Sequence, residues 1–207
     1  MKTRFSGIGG LVAVGAVVVG FGAGCEGMEP GDEAEGVETT SSELVNVALP
    51  PKGGSFTLHN YQTNFCLGVA AGNPNPGTKL VVWDCDGTAN QNWQEVVPLG
   101  NRTQIRNMIG TNRCLDVTRG QYVSYTNGSA ADIAYCDAPT TQSFSVITAG
   151  KDMAGHQCYQ FWNQYGPNNI PLVLGVSAGN PNRGAPVITW ENFSNPNTHP
   201  DQYWCVY

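Results

Sequence analysis

The sequence is poor in charged residues, which make up 13% of its 207 residues, while it contains 26 glycines and 13 prolines. Long surface helices need lysine, glutamate and arginine on their solvated face, so this composition argues against a helical protein. Basic residues are especially few: from Val47 onward, eight of them stand against nine acidic residues. Because there is no basic excess to bind a phosphate backbone, we expect no nucleic-acid partner.

Patterns typical of catalysis and of metal binding are also missing. The three histidines are scattered, and no serine stands in a nucleophile-elbow motif. Asp84 and Asp86 flank Cys85, but two acids without further oxygen ligands at defined spacing indicate solvated side chains rather than a calcium site. The sequence therefore predicts no enzyme, no cofactor and no metal site.

The apolar run Ile8–Phe21 is too short for a comfortable membrane span. It follows two basic residues and precedes small ones, which is the layout of a cleaved signal peptide over residues 1–24. The tetrapeptide Gly-Ala-Gly-Cys that ends at Cys25 is similar to a bacterial lipobox, in which the cysteine is lipidated; ordinary cleavage after Gly24 is the alternative. We expect a secreted or cell-envelope protein, and lipidation of Cys25 would hold it at an outer surface or a periplasmic face.

Residues 25–47 are acidic and lack aromatic side chains. Seven acidic residues and no basic residue lie between Cys25 and Asn46. Such a segment cannot bury enough surface to offset the entropy lost on ordering, so we predict a disordered, flexible acidic linker. A binding arm for a basic partner is the alternative.

The number of cysteines is consistent with export. Seven are present, and six remain when Cys25 is set aside, which predicts three disulfides in an exported chain. The count alone does not choose among the many pairings that six cysteines permit.

The chain after the linker contains an internal repeat. The segment Leu67–Gly77 recurs as Leu174–Gly184, and each copy runs on into a β-rich segment that ends at Trp83 or Trp190. Each copy then ends in Gln-x-Trp. A looser copy between them ends in Gln-Ser-Phe at residues 142–144.

Short runs of valine, isoleucine, threonine and aromatic residues alternate with turn clusters of glycine, asparagine and proline, which predicts an all-β fold. One copy cannot bury both faces of its strands, whereas three copies around one axis remove the exposed edges and share a core. We therefore predict one domain over residues 48–207, with lobes at about 54–97, 98–147 and 148–207. The aromatic residues that end the copies, Trp93, Phe144 and Trp204, are expected in this core.

These features resemble the ricin B-chain-type lectin family, whose fold is a β-trefoil of three pseudo-equivalent lobes. The resemblance covers roughly Gly54–Tyr207 and depends on the Gln-x-Trp-like endings and on a Cys-Leu-x-Val entry matched to a later cysteine. It implies two disulfides, Cys66–Cys85 and Cys114–Cys136, and the third lobe departs from the pattern, so the remaining Cys158 and Cys205 are expected to pair.

The resemblance also implies a sugar site in each lobe. It consists of an acid in the Cys-Leu-Asp-Val segment, an aromatic platform two residues before the second cysteine and an asparagine before the Gln. No lobe has the full set, because Gly68 and Gly175 replace the acid in lobes 1 and 3, and Ala134 and Thr141 replace the platform and the asparagine in lobe 2. The candidate carbohydrate-binding residues are Asn73, Trp83, Asn90, Asp116, Asn180, Trp190 and Asp201.

Each candidate also has a structural interpretation. Asn73 and Asn180 suit the turn that Asn-Pro-Asn makes, and Asp116 suits bonding within its own loop. Strand alternation places Trp83 on the same side as Cys85, which favours burial. Exposure of both Trp83 and Trp190 would favour sugar binding, and burial of both would favour a scaffold.

The sequence therefore predicts a non-catalytic lectin module with weak affinity for glycans of unspecified type, expected to act as a monomer and to contact a membrane only through its lipid anchor. The alternative is a degenerate β-trefoil scaffold that has lost its sugar sites and mediates protein contacts or envelope structure. A β-trefoil protease inhibitor would need an exposed reactive loop, which the sequence does not mark, and no motif favours a small hydrolase.

Overall fold

The computed structural model describes residues 49, 54–99, 102–118, 127–137, 140–163, 171–192 and 198–207. The predicted signal peptide, the predicted acidic linker and Cys25 lie outside these residues. Within them, no helix has the length and hydropathy that crossing a membrane requires. The strands are β1 Ser55–Phe56, β2 Leu58–Asn60, β3 Cys66–Val69, β4 Leu80–Trp83, β5 Trp93–Leu99, β6 Arg102–Asn107, β7 Arg113–Val117, β8 Ser129–Tyr135, β9 Phe144–Lys151, β10 Gln157–Asn163, β11 Leu172–Val176, β12 Val187–Glu191 and β13 Trp204–Val206.

Seven strands close a barrel. β5 pairs with β6, β6 with β9, β9 with β10, and β10 with β13. The ring is completed because β13 pairs with β2 and β5 pairs with β1, which is separated from β2 by Thr57 alone. The backbone of Thr57 exchanges two hydrogen bonds with Tyr207, so the interruption does not open the barrel. Closure removes the exposed edges that a single lobe would have.

The other six strands form one hairpin in each lobe, and the three hairpins are related by a pseudo-threefold axis. The hairpins are β3–β4, β7–β8 and β11–β12. One glycine N–H of each lobe donates to the hairpin of the next lobe: Gly77 to Ile133 at 2.7 Å, Gly128 to Thr189 at 2.8 Å and Gly184 to Val82 at 2.8 Å. All three glycines have a φ of +77° to +87°, a conformation that favours glycine. The cyclic order confirms the three-lobed β-trefoil that the repeat predicted.

The glutamine of each terminal motif ties its own lobe together. Gln91, Gln142 and Gln202 are each about 1% exposed. Their Nε2 atoms donate to the carbonyl oxygens of Asp84 at 2.7 Å, Tyr135 at 2.7 Å and Glu191 at 3.0 Å. These carbonyls stand where each hairpin ends, so the glutamines hold the hairpins against the barrel.

A buried asparagine then ties each lobe to the next. The Nδ2 atoms of Asn107, Asn163 and Asn60 donate to the carbonyl oxygens of Asn90 at 2.9 Å, Thr141 at 3.1 Å and Asp201 at 2.8 Å. Each accepting residue directly precedes the glutamine of its motif. The inter-lobe contacts are therefore specific hydrogen bonds in addition to the shared apolar core.

The core and the cross-links agree with the sequence-based expectations. Trp93, Phe144 and Trp204 are fully buried, and the indole N–H groups of the two tryptophans donate to the carbonyl oxygens of Leu67 and Leu174 at 3.0 and 2.9 Å. The three expected disulfides are present: Cys66–Cys85, Cys114–Cys136 and Cys158–Cys205. The third joins the first and last strands of lobe 3, where β10 pairs with β13.

Candidate functional site

Both candidate platform tryptophans lie on the surface. Trp83 is 46% exposed and Trp190 is 41% exposed. Along β4 the buried residues are Leu80 and Val82, so Trp83 points away from the core. Strand alternation placed Trp83 on the side of Cys85, which favoured burial, whereas both side chains are exposed in the structure.

In the third lobe, Trp190 and Asp201 border one cavity of about 580 Å³. This volume is in the range of cavities that bind small molecules. Strand β12 supplies Trp190, and the 3-10 turn Pro200–Gln202 supplies Asp201. The cavity therefore combines an exposed apolar ring with a carboxylate, which are the two groups that a pyranose needs for its C–H face and its hydroxyls.

Hydrogen bonds of two buried amides fix Asp201 beside Trp190. The side chain of Gln202 donates to the carbonyl oxygen of Glu191, one residue beyond Trp190. Asn60 of lobe 1 donates to the carbonyl oxygen of Asp201 itself. The turn that carries the carboxylate and the strand that carries the platform are therefore held in a fixed relation, which lowers the entropy lost on binding a ligand.

Gly175 leaves the space that the Asp201 carboxylate occupies. A Cβ at Gly175 would lie 3.0 Å from Cγ of Gln202 and 3.4 Å from Oδ2 of Asp201. The third lobe thus has its acid on the 3-10 turn instead of the strand, over the same part of the site. Burial raises the pKa of Asp201, and a backbone hydrogen bond and the charge of His199 partly offset this shift.

Restoring the strand acid by Gly175→Asp is expected to lower the free energy of unfolding by about 2 kcal/mol, because its Cβ would overpack against Gln202. The added carboxylate would also face that of Asp201. Urea unfolding curves measure the change, with Gly110→Asp as the control, since a Cβ at Gly110 has no neighbour closer than 3.6 Å. Equal stability of Gly175→Asp and the wild type would show that the turn moves away at no cost.

The first lobe has a platform whose neighbouring polar groups are already occupied. Trp83 lies against the third lobe, where a Cβ at Gly184 would be 3.4 Å from its Cζ3. The Nδ2 of Asn90 donates to the carbonyl oxygen of Val69 at 3.3 Å, and its Oδ1 accepts a hydrogen bond from the Thr88 hydroxyl. The amide of Asn90 therefore stabilises the lobe itself.

The second lobe has the acid without the platform. The Oδ1 of Asp116 accepts the N–H of Val117 at 2.8 Å. Burial raises the pKa of Asp116, the charge of Asp132 raises it further, and hydrogen bonds from Thr141, Val117 and Gln142 act against the shift. Protein donors on its own strand β7 and on the 3-10 turn Thr140–Gln142 therefore already bond this carboxylate.

The two loop asparagines make turns. The Oδ1 of Asn73 accepts the N–H of Asn75 at 3.1 Å, and the Oδ1 of Asn180 accepts the N–H of Asn182 at 3.0 Å. These bonds are typical of Asx turns. Asn180 directly follows the cavity wall at Gly179, but its carboxamide oxygen is used within the turn.

Two further features were not singled out from the sequence. His59, Cys66 and Cys85 form a cluster of metal-ligating residue types, but its cysteines are joined in a disulfide and offer no thiolate. Gln62 comes from lobe 1 and lines the cavity of lobe 3. The signal for Gln62 was its place two residues after Asn60, a member of the repeated asparagine set.

Comparisons with known proteins give the same fold. The family profile described as ricin-type beta-trefoil lectin domain matches residues 54–204. A search of curated protein sequences found no match. The exo-beta-1,3-galactanase 1,3Gal43A from Clostridium thermocellum is 18% identical with a TM-score of 0.61, over 75% of this chain and 30% of that one.

Two other similar structures are covered almost completely. The designed threefold-symmetric protein ThreeFoil is 16% identical with a TM-score of 0.60, over 73% of this chain and 96% of that one. The ricin B-like lectin of Macrolepiota procera, solved in complex with lactose, is 15% identical with a TM-score of 0.54, over 77% and 98%. At such identities these structures show the fold alone. The profile match and the threefold hydrogen-bond pattern together establish that the chain belongs to the ricin-type β-trefoil lectin domain family.

Proposed function

We propose that this protein binds carbohydrate in the cavity of its third lobe. Trp190 provides a platform for the apolar face of a pyranose, and the Asp201 carboxylate accepts hydrogen bonds from its hydroxyls. The observation that carries the proposal is the exposed Trp190 beside Asp201 in one cavity of about 580 Å³. Membership of a lectin domain family and a lactose-bound structural neighbour support the same class of ligand.

The affinity that this site supports is weak, and the proposal includes no catalytic step. One platform and one carboxylate in an open cavity are consistent with a dissociation constant of about 1 mM, near −4 kcal/mol. Many copies held on one surface would raise the effective strength through avidity. Multivalent glycans are therefore the ligands that the protein would retain.

A scaffold role is the second candidate function, and one observation favours it for lobes 1 and 2. The side chains of Asn90 and Asp116 are already hydrogen-bonded within the protein. A chain that served only as a scaffold for protein contacts would bind no glycan at any lobe.

The proposal also places the module outside the cell, held at the envelope by a lipid on Cys25 with residues 26–47 as the linker. The basic start, the apolar run and the lipobox-like tetrapeptide support this location. The mass of the chain extracted from membranes tests it, because cleavage without acylation would give the mass of an unmodified chain.

Trp190→Ala is expected to weaken glycan binding by about tenfold, because the variant loses the apolar platform. A glycan array followed by calorimetric titration with lactose measures the change. Trp83→Ala is the matched control: it removes an equally exposed tryptophan at the equivalent position of lobe 1, and its affinity should stay within about twofold of the wild type.

The two variants also separate the alternatives. If Trp83→Ala abolishes binding and Trp190→Ala does not, the site lies in lobe 1. If the wild-type protein gives no array signal and no heat with lactose at roughly millimolar concentration, the lectin function is overturned and the scaffold function is favoured.

A further inference from the structure

Gln62 belongs to lobe 1 by sequence and to the lobe 3 cavity by position. It follows β2, in a turn that is attached to the segment carrying Asp201. The N–H of Tyr61 donates to the carbonyl oxygen of Tyr203 at 2.8 Å, and Nδ2 of Asn60 donates to that of Asp201. The acceptors are Asp201 itself and a residue two positions after it, so the backbone that presents Gln62 is attached to the segment that carries the carboxylate.

The carboxamide of Gln62 is also oriented. Its Nε2 donates to the carbonyl oxygen of Gly179 at 3.1 Å. Both side chains come close to Gly179, since a Cβ there would be 3.5 Å from Oε1 of Gln62 and 4.0 Å from Cβ of Asp201. Within the described part of the chain, Oε1 of Gln62 has no hydrogen-bond partner, so it stays available to a ligand at this side of the cavity.

From this geometry we propose that Gln62 is a ligand-contacting residue of the lobe 3 site, with its carboxamide bonding a sugar hydroxyl next to the one bound by Asp201. The inference rests on the proposed function and adds a residue from a second lobe to it. Adjacent hydroxyls on a pyranose are each donor and acceptor, and a carboxylate beside an amide oxygen bonds such a pair. Both protein groups are held before the ligand arrives, which reduces the ordering that binding requires.

Lobe 1 has the same arrangement with an apolar side chain. By the repeat of Asn60 and Asn107, Ile109 is the equivalent of Gln62, and Gly72 is the equivalent of Gly179. A Cβ at Gly72 would lie 3.8 Å from Cδ1 of Ile109. At this position the wall is therefore polar in the lobe 3 site and apolar in the lobe 1 site, so of these two described sites it is lobe 3 that can bond a hydroxyl there.

Gln62→Met tests the role, because methionine keeps the length of the side chain and removes its hydrogen-bonding groups. The variant is expected to bind lactose about fivefold to tenfold more weakly, as the loss of one hydrogen bond predicts. Ile109→Met is the matched control: Ile109 belongs to lobe 2 and stands beside Gly72 of lobe 1 as Gln62 stands beside Gly179 of lobe 3, and this variant should bind as the wild type does. Thermal unfolding of both variants shows whether either change acts through stability.

Monodeoxy analogues of lactose distinguish a direct contact from a structural role. A purely structural residue would not change the affinity for one analogue relative to the others. If Gln62 contacts one hydroxyl, the analogue lacking that hydroxyl binds the wild type and Gln62→Met equally, while the other analogues keep the difference. A uniform loss over all analogues, or wild-type affinity of Gln62→Met for lactose, overturns the contact. If the wild-type protein gives neither an array signal nor heat with lactose, the proposed function is overturned and this inference with it.

Discussion

Replacing Trp204 by alanine is expected to lower the free energy of unfolding by about 4 kcal/mol. Trp204 is fully buried in the core that the three lobes share. Its indole N–H donates to the carbonyl oxygen of Leu174, so truncation both creates a cavity and removes a buried donor. The same strand carries Cys205, whose disulfide to Cys158 would still join β13 to β10.

Trp204→Phe separates the two contributions. Lobe 2 has Phe144 at the equivalent position, also fully buried, so a phenyl ring suits this part of the core. The phenylalanine variant should lose about half as much as the alanine variant, since it keeps most of the apolar volume but not the N–H. Urea unfolding followed by circular dichroism measures both.

Met153→Ala is the control for the Trp204 variants, because Met153 is fully exposed and should change the free energy of unfolding by no more than about 0.5 kcal/mol. A loss below about 1 kcal/mol for Trp204→Ala would contradict its place in the shared core.

The barrel and its three lobes were predictable because their determinants recur. The Gln-x-Trp endings predicted buried aromatics, and Trp93, Phe144 and Trp204 are buried. A position that recurs three times at similar spacing carries more information than any single residue, since chance matches do not keep register. Two of the cysteine pairs, Cys66–Cys85 and Cys114–Cys136, followed from the family pattern for the same reason, and Cys158–Cys205 was the pair that remained.

The orientation of the exposed side chains was less accessible to the sequence. Strand alternation relates neighbours along one strand but does not say which face is the core, and Cys85 was a misleading reference because a disulfide cysteine does not have to be buried. The inter-lobe hydrogen bonds of Asn60, Asn107 and Asn163 were missed as well, because their acceptors lie in a different lobe.

The candidate site shows the same limit in another form. Alignment of the repeats shows a glycine, Gly175, where the motif has an acid, and so indicates that the acid is missing. In the structure, the Asp201 carboxylate lies close to Gly175 and occupies that space. An acid on the 3-10 turn can do the same chemistry as an acid on the strand, but a search for the Cys-Leu-Asp-Val motif does not find it. Gln62 was missed for a related reason, since a residue of lobe 1 contributes to the cavity of lobe 3.

Replacing Asp201 by asparagine is expected to weaken lactose binding by about tenfold to a hundredfold at neutral pH, because hydrogen bonds to a charged acceptor are the stronger ones. Asparagine has the shape of the side chain it replaces, and Asn90 stands at the equivalent position of lobe 1, so the 3-10 turn should keep its structure. Calorimetric titration measures the loss, and Asp84→Asn, at a half-exposed carboxylate of lobe 1, is the control that should leave binding unchanged.

The pH dependence identifies the carboxylate as the cause. Because burial raises the pKa of Asp201, its ionised fraction falls as the pH is lowered through the range just above the ordinary value for a carboxyl group. Wild-type binding should weaken over that range, and binding by Asp201→Asn should not. His199 also lines the cavity, so the difference between the two profiles is the quantity to compare.

Over the same pH range, the contribution of Asp201 to the free energy of unfolding should change in the opposite direction to the affinity. A loss of binding at low pH can therefore be told apart from unfolding. With the pKa of Asp201 higher in the folded protein than in the unfolded chain, the folded protein binds more protons between the two values. The contribution of Asp201 to the free energy of unfolding therefore rises as the pH falls, while the affinity for lactose declines. If wild type and Asp201→Asn have the same pH profile of binding, then the Asp201 carboxylate is not the acceptor, and Trp190 must act with a different polar group of the cavity.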